Sequence, residues 1–175
     1  YVNKKTQSRR IKGKAIIVSN HKRLFDFVLL MYLFLGRDIY TIIGEQMYRK
    51  NKLFSWFLNK IGGIKVERDA YDFSFLGKSI ELLNKGKVIE IFPEGRLPLK
   101  EEKELLPFKP SFVYLALESG APIIPIYTNG SYAKKERAKV VIGEPIDAQA
   151  LYNDTLTEKE NIDYICNYVS SYIKD

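Results

Sequence analysis

The chain has 175 residues, 46% of them hydrophobic and 28% charged, which suits one folded domain and excludes a disordered or low-complexity chain. Its one cysteine excludes an intramolecular disulfide, and its one histidine excludes a conventional multi-histidine metal centre. The formal charge of +7 fits an anionic partner, whether nucleic acid, membrane surface or phosphorylated substrate, without choosing among them.

In chain order, a basic run comes first: Lys4, Lys5, Arg9, Arg10, Lys12 and Lys14. Short apolar runs at 14–19, 39–43, 63–67, 87–92 and 122–127 then read as strands. Apart from the alternating IKVE they are nearly continuous, as expected for strands covered on both faces. Between them the spacing predicts helices over 25–35, 52–61, 72–85 and 110–119, with Gly86 and Gly120 as stop signals. The apolar stretch 24–35 carries Asp26 and falls short of the ~20 residues that span a bilayer, so it reads as a buried helix. Within 53–58, Trp56 and Phe57 read as core, with a membrane contact as the alternative. After a turn at 129–131 and a basic cluster of Lys134, Lys135, Arg137 and Lys139, the stretch 138–143 offers a further strand. Thr157 and Glu160 form a capping box for a last helix whose stripe is Ile162, Ile165, Cys166, Val169, Tyr172 and Ile173. Alternating strand and helix predict an α/β fold, a mainly parallel central sheet flanked by helices, as one domain over 1–175. Because the chain begins at Tyr1, a preceding anchor segment remains open.

In such sheets ligands bind beyond the carboxyl ends of the strands. His21 follows the first strand, Arg68 the third, Glu94 and Arg96 the fourth, and Thr128 with Asn129 the fifth. On a regular helix the five residues from His21 to Asp26 turn through about 500°, which leaves the side chains apart. A turn over 21–25 with a helix starting near Asp26 lets the carboxylate fold back onto the imidazole. It would then fix the tautomer and leave the other ring nitrogen to take a proton. The same pair also fits a helix cap beside an incidental histidine. In FPEGR, Pro93 and Gly95 predict a tight turn that presents Glu94 and Arg96 to solvent. Arg96 can fork a phosphate, with Arg68 as a second positive charge; alternatively Glu94 pairs with Arg96, and Arg68 with Glu67 or Asp69. Cys166, on a helix stripe, is a poor nucleophile, and no glycine-rich nucleotide loop is present.

Four blocks in order carry a resemblance. NHKRLFD resembles the Asn-His-x-x-x-x-Asp box of glycerolipid acyltransferases, especially those acting on 1-acylglycerol 3-phosphate. GGIKVERD is similar to their second block, FPEGR to their Phe-Pro-Glu-Gly-Thr-Arg block, and APIIPI to their later proline-centred strand. The chain departs in lacking the threonine before Arg96 and in having Ser111 for a glycine in FKPS. It also has Glu45 for a lysine, with Arg49, Lys50 or Lys52 as substitutes.

The resemblance implies transfer of a fatty acyl group from a coenzyme A or acyl carrier protein thioester to the free hydroxyl of 1-acylglycerol 3-phosphate, giving phosphatidic acid. His21 would be the base, Asp26 its support, and Arg68, Glu94, Gly95 and Arg96 the substrate-binding set. It implies no cofactor beyond the co-substrate, no metal, and an anionic membrane surface as partner rather than nucleic acid. The expected location is the cytoplasmic side of the cell membrane, peripheral or through an additional segment. Glycerol 3-phosphate or another lysophospholipid is the alternative acceptor. A basic nucleic-acid- or lipid-binding module without catalysis is the alternative class.

Overall fold

A computed structural model describes residues 11–49, 51–67, 74–99, 101–102, 105–131 and 137–173. Of the residues singled out above, Arg68, Asp69, Lys4, Lys5, Arg9, Arg10, Lys50, Lys134 and Lys135 lie outside the described residues.

The strands are β1 (Ala15–Ser19), β2 (Ile39–Gly44), β3 (Gly63–Val66), β4 (Val88–Ile91), β5 (Ile123–Thr128) and β6 (Val140–Ile142). The helices are α1 (Asp26–Leu33), α2 (Glu45–Tyr48), α3 (Lys52–Lys60), α4 (Ser74–Asn84), α5 (Ser111–Ser119) and α6 (Glu158–Ile173). One sheet runs β3-β2-β4-β1-β5-β6. The first five strands are parallel, and β6 is antiparallel to β5. The expected mainly parallel α/β sheet is therefore the one observed. The single turn α2 was not expected, because four residues are too few to show a helical period.

Strand alternation explains the two-faced core. Ile16 and Val18, with Ile89, Ile91 and Ile123, face Leu83 of α4, Phe112 and Leu115 of α5, and Ile165 and Val169 of α6. Ala15 and Ile17, with Val88, Ile124 and Ile126, face Leu30 of α1 and Phe34 just beyond it. All five residues of β1 are buried, so both faces of the central strand are apolar and covered. Each such aliphatic side chain contributes about 1.5–3 kcal/mol on burial. Gly120 ends α5 in the left-handed conformation, φ 61°, as its stop signal required. At Thr157 the capping box forms: Glu160 accepts from the Thr157 backbone N–H at 2.8 Å.

The order of the central strands creates the crevice. From β1 the chain passes through α1 to β2, on the far side of β4; from β4 it passes through α5 to β5, on the far side of β1. The loops leaving neighbouring β1 and β4 thus diverge, and open α/β sheets bind ligands in such a crevice.

Helix α3 corrects one expectation. Phe54, Leu58 and Ile61 form its inner stripe against Ile43 and Phe27, whereas Trp56 and Phe57 are 58% and 39% exposed. Leu53, Trp56, Phe57 and Lys60 fall at i, i+3, i+4 and i+7, so they form a second, outward stripe rather than core.

Candidate active site

Asp26 opens α1 and is fully buried. Its Oδ2 accepts the backbone N–H groups of Lys22 and Arg23, both at 2.7 Å, and the Nδ1–H of His21 at 3.1 Å. It is not the helix cap: Phe25 holds that position and makes no side-chain cap bond. The carboxylate instead closes the turn over 21–25 from within, the back-folded geometry that the spacing allowed. The positive end of α1 adds a favourable field for its charge.

His21 is held from two further directions. Its ring stacks on Phe92 with centroids 4.4 Å apart and 27° between planes. Its backbone N–H donates to Glu94 Oε1 at 2.6 Å. The side chain is 17% exposed, and with Nδ1 committed to Asp26, Nε2 is the nitrogen left for a substrate proton. Behind it, buried Asn20 donates to the Thr128 carbonyl at 2.9 Å and accepts the Thr128 N–H at 2.8 Å, tying the end of β1 to the end of β5. Arg23 donates from Nε to the Gly130 carbonyl at 2.8 Å, fastening the same turn to the β5 loop.

Glu94 is not presented to solvent as the turn chemistry suggested. It is 6% exposed, and its second oxygen accepts the Leu106 N–H at 3.0 Å, so both oxygens are spent on backbone. Pro93 and Gly95 do make the turn, with Gly95 N–H donating to the Phe92 carbonyl at 3.0 Å and Gly95 at φ 73°. Such a left-handed residue favours glycine. Glu94 folds inward because two buried N–H groups need an acceptor; it fixes the His21 backbone and holds the loop that approaches α5.

Arg96 does not pair with Glu94. Its guanidinium forks both oxygens of Glu102 at 2.6 Å, and Glu102 also accepts the Leu99 N–H. The Arg96 hydrogen bond, reinforced by that N–H, lowers the Glu102 carboxyl to about 2. Arg96 remains exposed, so the fork is one that a phosphate can compete for. Lys109 adds a second cation: a methyl on Gly95 would lie 3.4 Å from its Nζ. Glu45, where the resemblance expected lysine, is buried and paired with Arg49 at 2.9 Å, which ties down that candidate substitute. Lys52, the remaining described substitute, is exposed at the start of α3.

His21, Gly95 and Arg96 share a cavity of about 190 Å³ with Thr41 and Phe92, its deeper wall being Phe27, Ile43, Met47 and Leu58. Sites that enclose a drug-sized ligand are larger, about 300–1,000 Å³. At this size the cavity encloses a small group rather than a whole ligand. Cys166 plays no part: burial and then Asp163 push its thiol up to about 11. Among the described residues, no three His, Cys, Asp or Glu side chains gather into a metal site.

Sequence reasoning did not single out Asn20, Thr41, Glu90, Phe92 or Lys109. Asn20, Phe92 and Lys109 lie inside the blocks NHKRLFD, FPEGR and FKPS, and Glu90 carried a signal of another kind, a charge inside a run read as covered on both faces.

The carboxyl edge of this parallel α/β sheet thus carries a carboxylate-paired histidine beside a cavity. Residues 1–129 match the family model described as Acyltransferase, and the chain belongs to that family. It is 24% identical over 159 residues to the 1-acyl-sn-glycerol-3-phosphate acyltransferase of Saccharomyces cerevisiae, covering 84% of this chain and 52% of that protein. It is 24% identical over 162 residues to the Haemophilus influenzae protein of the same name, covering 87% and 66%. To the human alpha form it is 27% identical over 126 residues, covering 70% and 44%. The chain thus spans about half to two thirds of the length of these relatives. Its fold matches the crystal structure of the 1-acyl-sn-glycerophosphate (LPA) acyltransferase PlsC from Thermotoga maritima. There the TM-score is 0.62 at 22% identity, covering 93% of this chain and 68% of that one.

Proposed function

We propose that the domain is an O-acyltransferase for 1-acylglycerol 3-phosphate, giving phosphatidic acid, with a coenzyme A or acyl carrier protein thioester as acyl donor and no resident cofactor. The observation that carries this reading is the 3.1 Å contact of His21 Nδ1–H with Asp26 beside a cavity that Arg96 also lines. His21 Nε2 takes the proton of the acceptor hydroxyl as its oxygen attacks the thioester carbonyl. The tetrahedral oxyanion collapses, the C–S bond breaks, and the leaving thiolate receives that proton from the imidazolium. Asp26 stabilises the imidazolium meanwhile. No acyl-enzyme forms, because the thioester is already activated. Arg96, with Lys109 beside it, holds the acceptor phosphate once Glu102 is displaced. The apolar wall from Phe27 to Leu58 takes part of an acyl chain.

The lipid substrate also gives α3 a role. None of the helices among the described residues is long and apolar enough to cross a membrane. The outward stripe of Leu53, Trp56 and Phe57 lies between Lys52 and Lys60, an arrangement suited to resting on an anionic leaflet, here the cytoplasmic face of the cell membrane. Trp56 is the chain's one tryptophan, so its fluorescence reports this contact directly. It is expected to shift to shorter wavelength with phosphatidylglycerol vesicles and not with purely zwitterionic ones. An unchanged spectrum while the protein sediments with the vesicles rejects α3 as the contact.

Thiol release from acyl-coenzyme A and from acyl carrier protein across a panel of acceptors tests the activity. His21→Ala is expected to lower kcat about 10²- to 10⁴-fold; full retention rejects His21 as base. Arg96→Ala is expected to raise KM for phosphorylated acceptors about 10-fold, the scale of one lost charged hydrogen bond. An equal loss on a neutral acceptor removes its phosphate role. Transfer to glycerol 3-phosphate in preference to the lysophospholipid reassigns the acceptor.

A further inference from the structure

The mechanism above leaves one buried acid unused. Glu90 sits in the middle of β4, fully buried, in register with Ile17 of β1 and Thr41 of β2. Alternation puts it on the same face as Val88, which packs toward α1, whereas Ile89 and Ile91 face α4 and α5. That face is the one onto which α1 lowers Asp26, Phe27 and Leu30. Glu90 Oε2 accepts one hydrogen bond, from Thr41 Oγ1 at 2.6 Å, and Thr41 itself lines the cavity with His21. Two carboxyl oxygens under this turn have no hydrogen-bond partner among the described residues: Glu90 Oε1 and Asp26 Oδ1. An ionised pair of carboxylates in so dry a place is strongly disfavoured, and a buried acceptor without a donor costs about 1–3 kcal/mol.

We propose that Glu90 is a positioning residue of the His21–Asp26 pair: a neutral carboxylic acid whose O–H serves the unsatisfied oxygen of Asp26, directly or through one buried water. A neutral Glu90 supplies the donor that the site otherwise lacks and leaves a single negative charge, on Asp26, to face the imidazole. Burial, and then the Asp26 charge, push the Glu90 carboxyl well above the ordinary carboxylate range, with the Thr41 hydrogen bond opposing. Among the described groups, Asp26 is the one charge that acts on it; β1 and β2 offer only Ile17 and Thr41 at its level. By holding Asp26 in one orientation, Glu90 fixes the direction of the His21 Nδ1–H bond and hence of Nε2. Acting through Asp26, it touches no substrate.

This inference rests on His21 and Asp26 forming the working pair, and its test separates the two. In the full-length protein at neutral pH, the infrared C=O stretch of a protonated carboxylic acid is expected in wild type and lost in Glu90→Gln. This readout needs no activity, so it decides the protonation of Glu90 even if no acceptor is acylated. A band that survives Glu90→Gln and disappears in Asp26→Asn puts the proton on Asp26 and overturns the proposal. In kinetics, Glu90→Gln, whose amide donates in place of the acid, is expected to stay within about 3-fold of wild-type kcat. Glu90→Leu is expected to lose about 10- to 100-fold in kcat at unchanged KM, the scale usual for residues that orient a working group. In an Asp26→Asn background Glu90→Leu is expected to add no further loss, whereas a purely structural role predicts independent losses. Equal damage from Gln and Leu, or a folded Glu90→Leu enzyme with wild-type kcat, overturns the proposal.

Discussion

The two ends of the cleft are built by opposite means. At the end that holds His21, Asp26 and Glu94 are buried and accept from backbone N–H groups and from His21, Asp26 through Oδ2 and Glu94 through both oxygens. At the anion end, Arg96 and Glu102 meet in the open through one forked ion pair. A base must be held in one orientation before substrate arrives, and buried charge-assisted hydrogen bonds do that. A phosphate clamp must exchange one anion for another, and an exposed pair, weak by nature, allows it. Under the proposed function, burial marks the residues that place the chemistry, while exposure marks those that greet the ligand.

The largest break in that contrast is at Asp26. Asp26→Asn keeps one oxygen where Lys22, Arg23 and His21 all donate and puts its NH2 at the Oδ1 position, so what is lost is the negative charge that would support the imidazolium. The expected loss is about 10²- to 10⁴-fold in kcat, since the base contribution itself is at stake. Destabilisation of about 1–3 kcal/mol accompanies it, because the bonds from the Lys22 and Arg23 amides lose their charge assistance. Steady-state thiol release and thermal unfolding read the two effects. Transfer within about 3-fold of wild type would show that the rigid end of the cleft is not its chemical end.

Glu94 comes next. Glu94→Gln leaves one acceptor for two N–H donors, so either His21 or Leu106 loses its bond. The expected cost is about 1–3 kcal/mol in urea unfolding and about 10- to 100-fold in kcat, with KM for the acceptor unchanged. A rise in KM at constant kcat would move Glu94 to the ligand-greeting side of the cleft, as its turn alone suggested.

That misplacement shows what the sequence could and could not carry. The parallel sheet was legible because strands covered on both faces are apolar throughout and helices keep their spacing and stop signals. The His21–Asp26 geometry was legible because five residues permit one back-folded turn and forbid a shared helix face. Glu94 was not, because turn residues state where the chain bends and nothing about which backbone donors wait beneath the bend. Asn20 and Thr128, 108 positions apart, meet through strand order, which local patterning does not encode. Trp56 failed for another reason: α3 carries two apolar stripes, and one short helix does not say which of them faces the sheet.

The smallest expected effect sharpens the exposed end. The Glu102 carboxyl is lowered to about 2 by Arg96, so its pairing contribution is present above the ordinary value of 4.5 and is lost as pH falls from there toward 2. Near neutral pH no protonation step releases Arg96, and only a competing anion can. Glu102→Gln weakens the competitor without touching the clamp, so KM for the phosphorylated acceptor is expected to fall about two- to fivefold with kcat unchanged, a surface-pair effect. The gain is expected to vanish in an Arg96→Ala background and to shrink at high salt, which already screens an exposed pair. A rise in KM would mean instead that Glu102 aims the guanidinium at the phosphate, making the open end a second preorganised end.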